Sequence, residues 1–178
     1  LSITNKDKTM TSIQNIACII LLGLMSCNSV SKTKPVVIAK PAPELFKIKL
    51  TDLKDEALDL NQYAGKVIFI NFWATWCKPC LQEMASIEKA QNILRNENIV
   101  FLLASAETVD EIDAFQKLHS YPFNYVQIQN SEELGIDGLP TTFIFNRSGR
   151  LVFSESGYRK WDDKSNIDTI LKIINTNE

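Results

Sequence analysis

The sequence predicts an α/β domain with a central mixed β-sheet flanked by helices. Three observations point there. Val67, Ile68, Phe69, Ile70 and Phe72 form an apolar run broken only by Asn71, as a strand covered on both faces requires. Met84, Ile87 and Leu94 then recur at helical spacing. The alternation of strand and helix continues along the chain and closes with a hairpin and an amphipathic helix.

In chain order, Phe46, Ile48 and Leu50 alternate with lysines and predict a half-exposed strand over 46–50, turned back by Lys54, Asp55 and Glu56 into a second short strand at 57–60. These two would make an N-terminal β-hairpin. The apolar run predicts a central strand over 67–72, followed by a helix over about 77–96 and a buried strand over 99–103. Thr108 with Glu111 three residues on is a capping-box pattern, and Ile112, Phe115 and Leu118 mark the face of the helix it starts. A strand over 123–128 and a short helix over 132–134 follow. Residues 142–145 and 151–153 flank Arg147, Ser148, Gly149 and Arg150 as a β-hairpin, and Ile167, Ile170, Leu171 and Ile174 define the last helix.

The 178 residues suffice for one domain with a proper core and some additional sequence. A net charge of −2 leaves no basic footprint, so no nucleic-acid partner is expected. One histidine rules out a multi-histidine metal centre, there is no Gly-rich phosphate loop, and no cofactor is expected. Residues 16–25 are almost wholly apolar, too short to span a bilayer but suited to a signal-peptide core, with Lys6 and Lys8 ahead of them. Cys18 lies within that run. Leu24-Met25-Ser26-Cys27 resembles a bacterial lipoprotein box, which implies a lipidated Cys27 and a membrane-anchored lipoprotein; the alternative is an ordinary signal peptide with Cys27 incidental. The expected organisation is therefore a signal peptide over 1–27, a tether over 28–44 carrying Pro35, Pro41 and Pro43, and the domain over 45–178.

The chemistry concentrates in Trp76-Cys77-Lys78-Pro79-Cys80, at the end of the central strand. Two cysteines separated by two residues close a small disulfide ring when oxidised and open to a dithiol when reduced. A helix starting at Cys77 puts that sulfur at a helix N-terminus, where the amide dipoles favour the thiolate over a thiol of ordinary pKa about 8.5. Cys77 is the candidate nucleophile and Cys80, one turn on, the resolving thiol. Pro79 suits a first helical turn, which needs no amide donor there. Trp76 is a candidate rim residue in contact with substrate. Far along the chain stands Gly138-Leu139-Pro140-Thr141-Thr142. Pro140 alone reads as an ordinary turn, but with the cysteine pair upstream it becomes a candidate cis peptide.

The stretch Phe72-Trp73-Ala74-Thr75-Trp76-Cys77-Lys78-Pro79-Cys80, with Gly65-Lys66 before it and the 138–142 segment after it, resembles the thioredoxin superfamily, and within it the TlpA/ResA-like group of membrane-tethered thiol–disulfide oxidoreductases. The resemblance covers most of the chain from Leu45 on. It implies a thioredoxin fold with a central helix–strand insertion over 108–128, redox-active Cys77 and Cys80, a cis Pro140 beside them, and a Leu139 backbone that pairs with a bound substrate segment. The buried aspartate of thioredoxin itself is replaced here by Asn71, which cannot take a proton from Cys80. The group often carries a glutamate six residues after the first cysteine, which here is Glu83. Glu83 is thus either a solvated helix-surface carboxylate or the group that relays the proton of Cys80; the proline that commonly follows in the group is Ala85 here.

By resemblance, the protein would face an extracytoplasmic compartment of a bacterial cell envelope. It would exchange disulfides with protein clients, more as a reductant fed by a membrane electron donor than as an oxidant. Clients would include apocytochromes c, in cytochrome c biogenesis, or mis-paired envelope disulfides. Two other classes share the fold: a metal-delivery module, disfavoured because no histidine lies near the pair, and a binding module without catalysis, disfavoured because both cysteines are intact. Leu81 excludes a haem-attachment motif, which needs histidine there. His119 reads as a surface or helix-end residue, and Trp73 and Trp161 as packing residues.

Overall fold

A computed structural model of the chain describes residues 44–176. All of these residues fall in one compact unit. The expected signal peptide, lipid-bearing Cys27 and most of the tether lie outside the described residues.

Among the described residues, six strands form one mixed sheet: β1 (Leu50–Thr51), β2 (Val67–Trp73), β3 (Ile99–Ser105), β4 (Asn124–Ile128), β5 (Thr141–Phe145) and β6 (Leu151–Ser156), in the spatial order β1-β4-β3-β2-β5-β6. β2 runs parallel to β3, and β3 to β4; β5 runs antiparallel to β2, and β6 to β5. Among the described residues, three α-helices accompany the sheet: α1 (Lys78–Ile93), α2 (Val109–Leu118) and α3 (Lys164–Asn175). Every residue of β2 is buried, as its apolar composition, interrupted only by Asn71, requires of a strand packed on both faces.

Alternate residues of β2 feed two cores. Val67, Phe69 and Trp73 join Met84, Ile87 and Leu94 of the first helical layer, Ile112 and Phe115 of α2, and Ile167, Ile170 and Ile174 of α3. Ile68, Ile70 and Phe72 face the other way, where Leu45, Ile48, Leu50 and Leu60 cover them. On that second face the cover includes single 3-10 turns, Glu44–Lys47 and Leu60–Tyr63, rather than long helices.

Two expected strands take other forms: 57–60 keeps only a single bridging residue, Ala57, and its Leu60 opens the 3-10 turn Leu60–Tyr63. Residues 46–50 alternate in polarity, but Glu44–Lys47 is a 3-10 turn and only Leu50 and Thr51 pair with β4. Leu45 and Ile48 are both buried, three residues apart, while Phe46 is exposed. A period of three explains that burial, whereas a period of two would have buried Phe46 and exposed Leu45. The expected hairpin survives as a bridge between Thr51 and Ala57. The helix expected to reach residue 96 stops at Ile93, with Leu94 as its C-cap.

α2 begins as its sequence predicts: the Thr108 hydroxyl accepts from the Glu111 amide, and the Glu111 carboxylate accepts from the Thr108 amide at 2.9 Å. Thr108→Ala should therefore destabilise the fold by about 1 kcal/mol, read as a lower urea midpoint at unchanged slope.

Candidate active site

β2 delivers the cysteines. After Trp73 the chain leaves the sheet, and Cys77 becomes the N-cap of α1, its Sγ accepting from the Cys80 amide at 3.3 Å. Pro79 sits in the first turn, where a missing N–H costs no hydrogen bond. Cys77 and Cys80 are joined in a disulfide with their Cα atoms 5.3 Å apart. Cys77 is 4 % exposed and Cys80 is 0 % exposed, so the first sulfur is the nearer to solvent. Beside them Trp76 stands 73 % exposed, while Lys78 also faces water.

β5 delivers the second element. Thr141 and Thr142 pair with Phe72 and Asn71 of β2, so the peptide before them lies next to the strand that ends at the cysteines. Leu139–Pro140 is a cis peptide; Pro140 is buried and Leu139 half-buried. Leu139, Trp76 and Ala74 line an apolar cavity of about 250 Å³ together with Ile128 and Ile136. The carboxylate of Glu107 stands at its wall and braces the segment before the cysteines, accepting from the Thr75 amide at 2.8 Å and from the Thr75 hydroxyl at 2.5 Å. The Ser105 hydroxyl donates to the same carboxylate at 2.9 Å.

Glu83 is buried, at 1 % exposure, on α1 one turn beyond Cys80. Asn71 Nδ2 donates to its Oε1 at 2.6 Å and the Arg159 amide to its Oε2 at 3.0 Å. Burial pushes the Glu83 carboxyl up to about 7, against the smaller opposing pull of the Arg159 amide and the Asn71 side chain. The Trp161 indole pulls weakly the same way, although its N–H makes no hydrogen bond of good geometry. Asn71 also donates to the Thr142 hydroxyl at 3.0 Å, which ties Glu83 through β2 to the strand carrying the cis proline.

The structure thus brings together Trp76, Cys77, Cys80, Glu83, Leu139 and Pro140 around the end of β2. Glu107 and Arg159 join them without any motif in the sequence to mark them. Asn71, which cannot accept a proton from Cys80 as an aspartate would, contributes instead as a donor to Glu83. Among the described residues, no group of three or more His, Cys, Asp or Glu side chains is placed to hold a metal ion. His119 ends α2 and stacks on Phe115, and Trp73 and Trp161 are core residues.

A family model described as Redoxin matches residues 38–171. The chain belongs to the Redoxin family. Within this family it is similar to a thiol-disulfide oxidoreductase ResA of Bacillus cereus, 29 % identical over 149 residues that cover 81 % of this chain and 82 % of the relative. It is likewise similar to the ResA of Geobacillus kaustophilus, 31 % identical over 130 residues covering 70 % and 72 %. Solved structures share the fold. A thiol:disulfide interchange protein from Bacteroides sp. superposes with a TM-score of 0.60 at 22 % identity, covering 74 % of this chain and 88 % of that one. A thioredoxin-family interchange protein from Chlorobium tepidum does so with a TM-score of 0.59 at 22 % identity, covering 76 % and 97 %. This Redoxin chain is a TlpA/ResA-like member of the thioredoxin superfamily and a thiol–disulfide oxidoreductase.

Proposed function

We propose that the protein reduces disulfides in extracytoplasmic protein clients, with Cys77 as nucleophile, Cys80 as resolving thiol and Glu83 as the proton acceptor for Cys80. The observation that carries this reading is the placement of a buried carboxyl, poised near neutrality, one helical turn beyond the more buried of two linked cysteines. A base for a thiol works best when its own pKa lies close to the working pH.

The reaction starts from the dithiol. The Cys77 thiolate, favoured by the N-terminus of α1, attacks one sulfur of a client disulfide; a mixed disulfide forms and the other client sulfur leaves as a thiolate that takes up a proton. Cys80 then gives its proton to Glu83 and attacks Cys77 Sγ. The client's second thiolate departs and the Cys77–Cys80 disulfide is left, which is the state seen here. The client has gained two electrons, and a donor dithiol must return two to the enzyme. Trp76 and the apolar cavity beside Leu139 would receive client side chains, with the backbone of Leu139 and Pro140 alongside the segment to be reduced. Reduction is favoured over oxidation by the expected export to a compartment that already oxidises thiols, where a local reductant has work to do.

The rest of the reading concerns anchorage: a signal peptide over 1–27, a tether over 28–44, a domain over 45–178, and lipid on Cys27 holding the protein to a bacterial envelope membrane. It rests on the order of apolar core, Ser26 and Cys27 in the sequence. Clients in cytochrome c maturation and a membrane electron donor come from the family resemblance.

The test is capture. Cys80→Ser should trap a mixed disulfide between Cys77 and its client, and mass spectrometry of the adduct names the client. Recovery of partners only through Cys80, in a Cys77→Ser protein, would reverse the two roles.

A further inference from the structure

The Glu83 carboxyl receives one of its two hydrogen bonds from the backbone of the loop 157–161, between β6 and α3. A loop amide is a poor fixed donor unless something holds the loop, because a shift of a few tenths of an ångström weakens such a bond. The side chain of the same residue supplies the hold. The Arg159 guanidinium forks onto the Glu155 carboxylate, with Nε 3.2 Å from Oε1 and a second nitrogen 2.6 Å from Oε2. A third contact reaches Asn166 Oδ1 on α3 at 2.7 Å, and Asn166 Nδ2 donates back to the Lys160 carbonyl at 2.7 Å. The guanidinium carbon lies 5.3 Å from the ring centre of Phe153 and 5.6 Å from that of Trp161. At the two ends of the same loop, the Gly157 amide donates to the Pro140 carbonyl at 2.7 Å and the Trp161 amide to the Ser86 hydroxyl at 3.1 Å.

Charge is not the route by which Arg159 reaches Glu83. Its guanidinium is committed to Glu155 and Asn166, and no ionised side chain is among the influences on the Glu83 carboxyl. The other charged groups on the surrounding elements face one another as well: Lys160 pairs with Asp163, and Lys89 of α1 with Asp162. Asn71 from β2 and Thr142 behind it are neutral.

We propose that Arg159 is a positioning residue of the redox site: its planar fork on Glu155 and Asn166 locks the 157–161 loop so that its own backbone N–H stays on Glu83 Oε2. The inference rests on the Glu83 reading for its consequence in catalysis, but not for its geometry. A fork of five fixed donors does what an ammonium cannot, so lysine at this position should fail to substitute.

The test follows the Glu83 carboxyl by carbon-13 NMR across pH in the full-length oxidised protein. Arg159→Ala should raise the Glu83 midpoint by about one pH unit, the scale of a lost hydrogen bond to a charged acceptor. Arg159→Lys should raise it by nearly as much, and Glu155→Gln, which keeps Arg159 but weakens the fork, by less. Glu155→Gln also serves if Arg159→Ala does not fold. The pH profile for resolving a mixed disulfide should move upward with the NMR midpoint in the folded variants. An unmoved Glu83 midpoint in these variants overturns the inference, and so does a lysine variant that titrates like wild type. If instead the NMR midpoint moves while resolution in Glu83→Gln keeps its wild-type pH profile, the positioning role stands and the role of Glu83 in resolution falls.

Discussion

Glu83→Gln should make the protein more stable than wild type at pH 8, by roughly 3 kcal/mol, and leave it nearly unchanged at pH 4. The sign follows from burial. In the unfolded chain this carboxyl ionises near its ordinary 4.5, while in the fold it holds its proton up to about 7. Between those values the folded state keeps a proton that the unfolded state has released. The stability contributed by Glu83 is therefore fully present below about 4.5 and is lost as pH rises through 7. Glutamine never ionises and does not incur that loss, so the advantage of the variant should open between those two values and level off above them. The site can accept the amide. Asn71 Oδ1 is buried without a partner, and rotation of the Asn71 amide would turn it toward the glutamine N–H while the Arg159 amide keeps the glutamine oxygen. Urea titrations at a series of pH values give the difference directly, and equal midpoints at pH 8 would mean that Glu83 carries no burial penalty. The gain in stability should come with a loss in function: resolution should slow by about 10²-fold at neutral pH and lose its titration near 7. That pairing is the usual mark of a functional group kept in an unfavourable place.

Cys77→Ser should abolish disulfide reduction, lowering the rate by at least ~10³-fold, about 4 kcal/mol of barrier. A hydroxyl at the N-cap of α1 still accepts from the Cys80 amide, so the helix start should survive, whereas a serine oxygen neither ionises near neutral pH nor forms a stable bond to a client sulfur. Reduction of insulin followed by turbidity would measure it, with far-UV circular dichroism as the control for folding. Cys80→Ser should also fail to turn over but should still discharge one equivalent of client thiol as the mixed disulfide forms. A Cys77→Ser protein that performs that single discharge would assign the attack to Cys80.

Much of this arrangement was legible along the chain. The cysteine pair, the proline before β5 and the apolar run before the cysteines are local patterns, and each fixes its own surroundings: a buried strand, a helix start, a peptide at a strand entry. The capping box of α2 was readable for the same reason, since both of its members lie within one turn. Glu83 was not decidable from sequence. It shares a helical face with Cys80 and Ile87, yet a carboxylate on such a stripe can equally well reach water at its edge. What seals it is Arg159, which is distant in sequence and follows a β-hairpin. Glu107 was invisible on the same grounds, because its partner Thr75 belongs to another strand end. The segment 46–50 differs for another reason: apolar residues at 46, 48 and 50 fit a strand while those at 45 and 48 fit a 3-10 turn, and the buried surface awaiting Leu45 and Ile48 decides it.

The covering of the second sheet face by short turns also has a mechanical side. A pull applied to the described segment at Glu44 would meet first the Leu151 amide on the Glu44 carboxylate and the Leu45 amide on the Gly149 carbonyl, then the Lys49 amide on Asn130, then the two-residue edge strand. These are the connections that would tear early. β2 sits in the middle of the sheet with neighbours on both sides, so the sulfurs at its tip would feel such a tug only after the rim had given way.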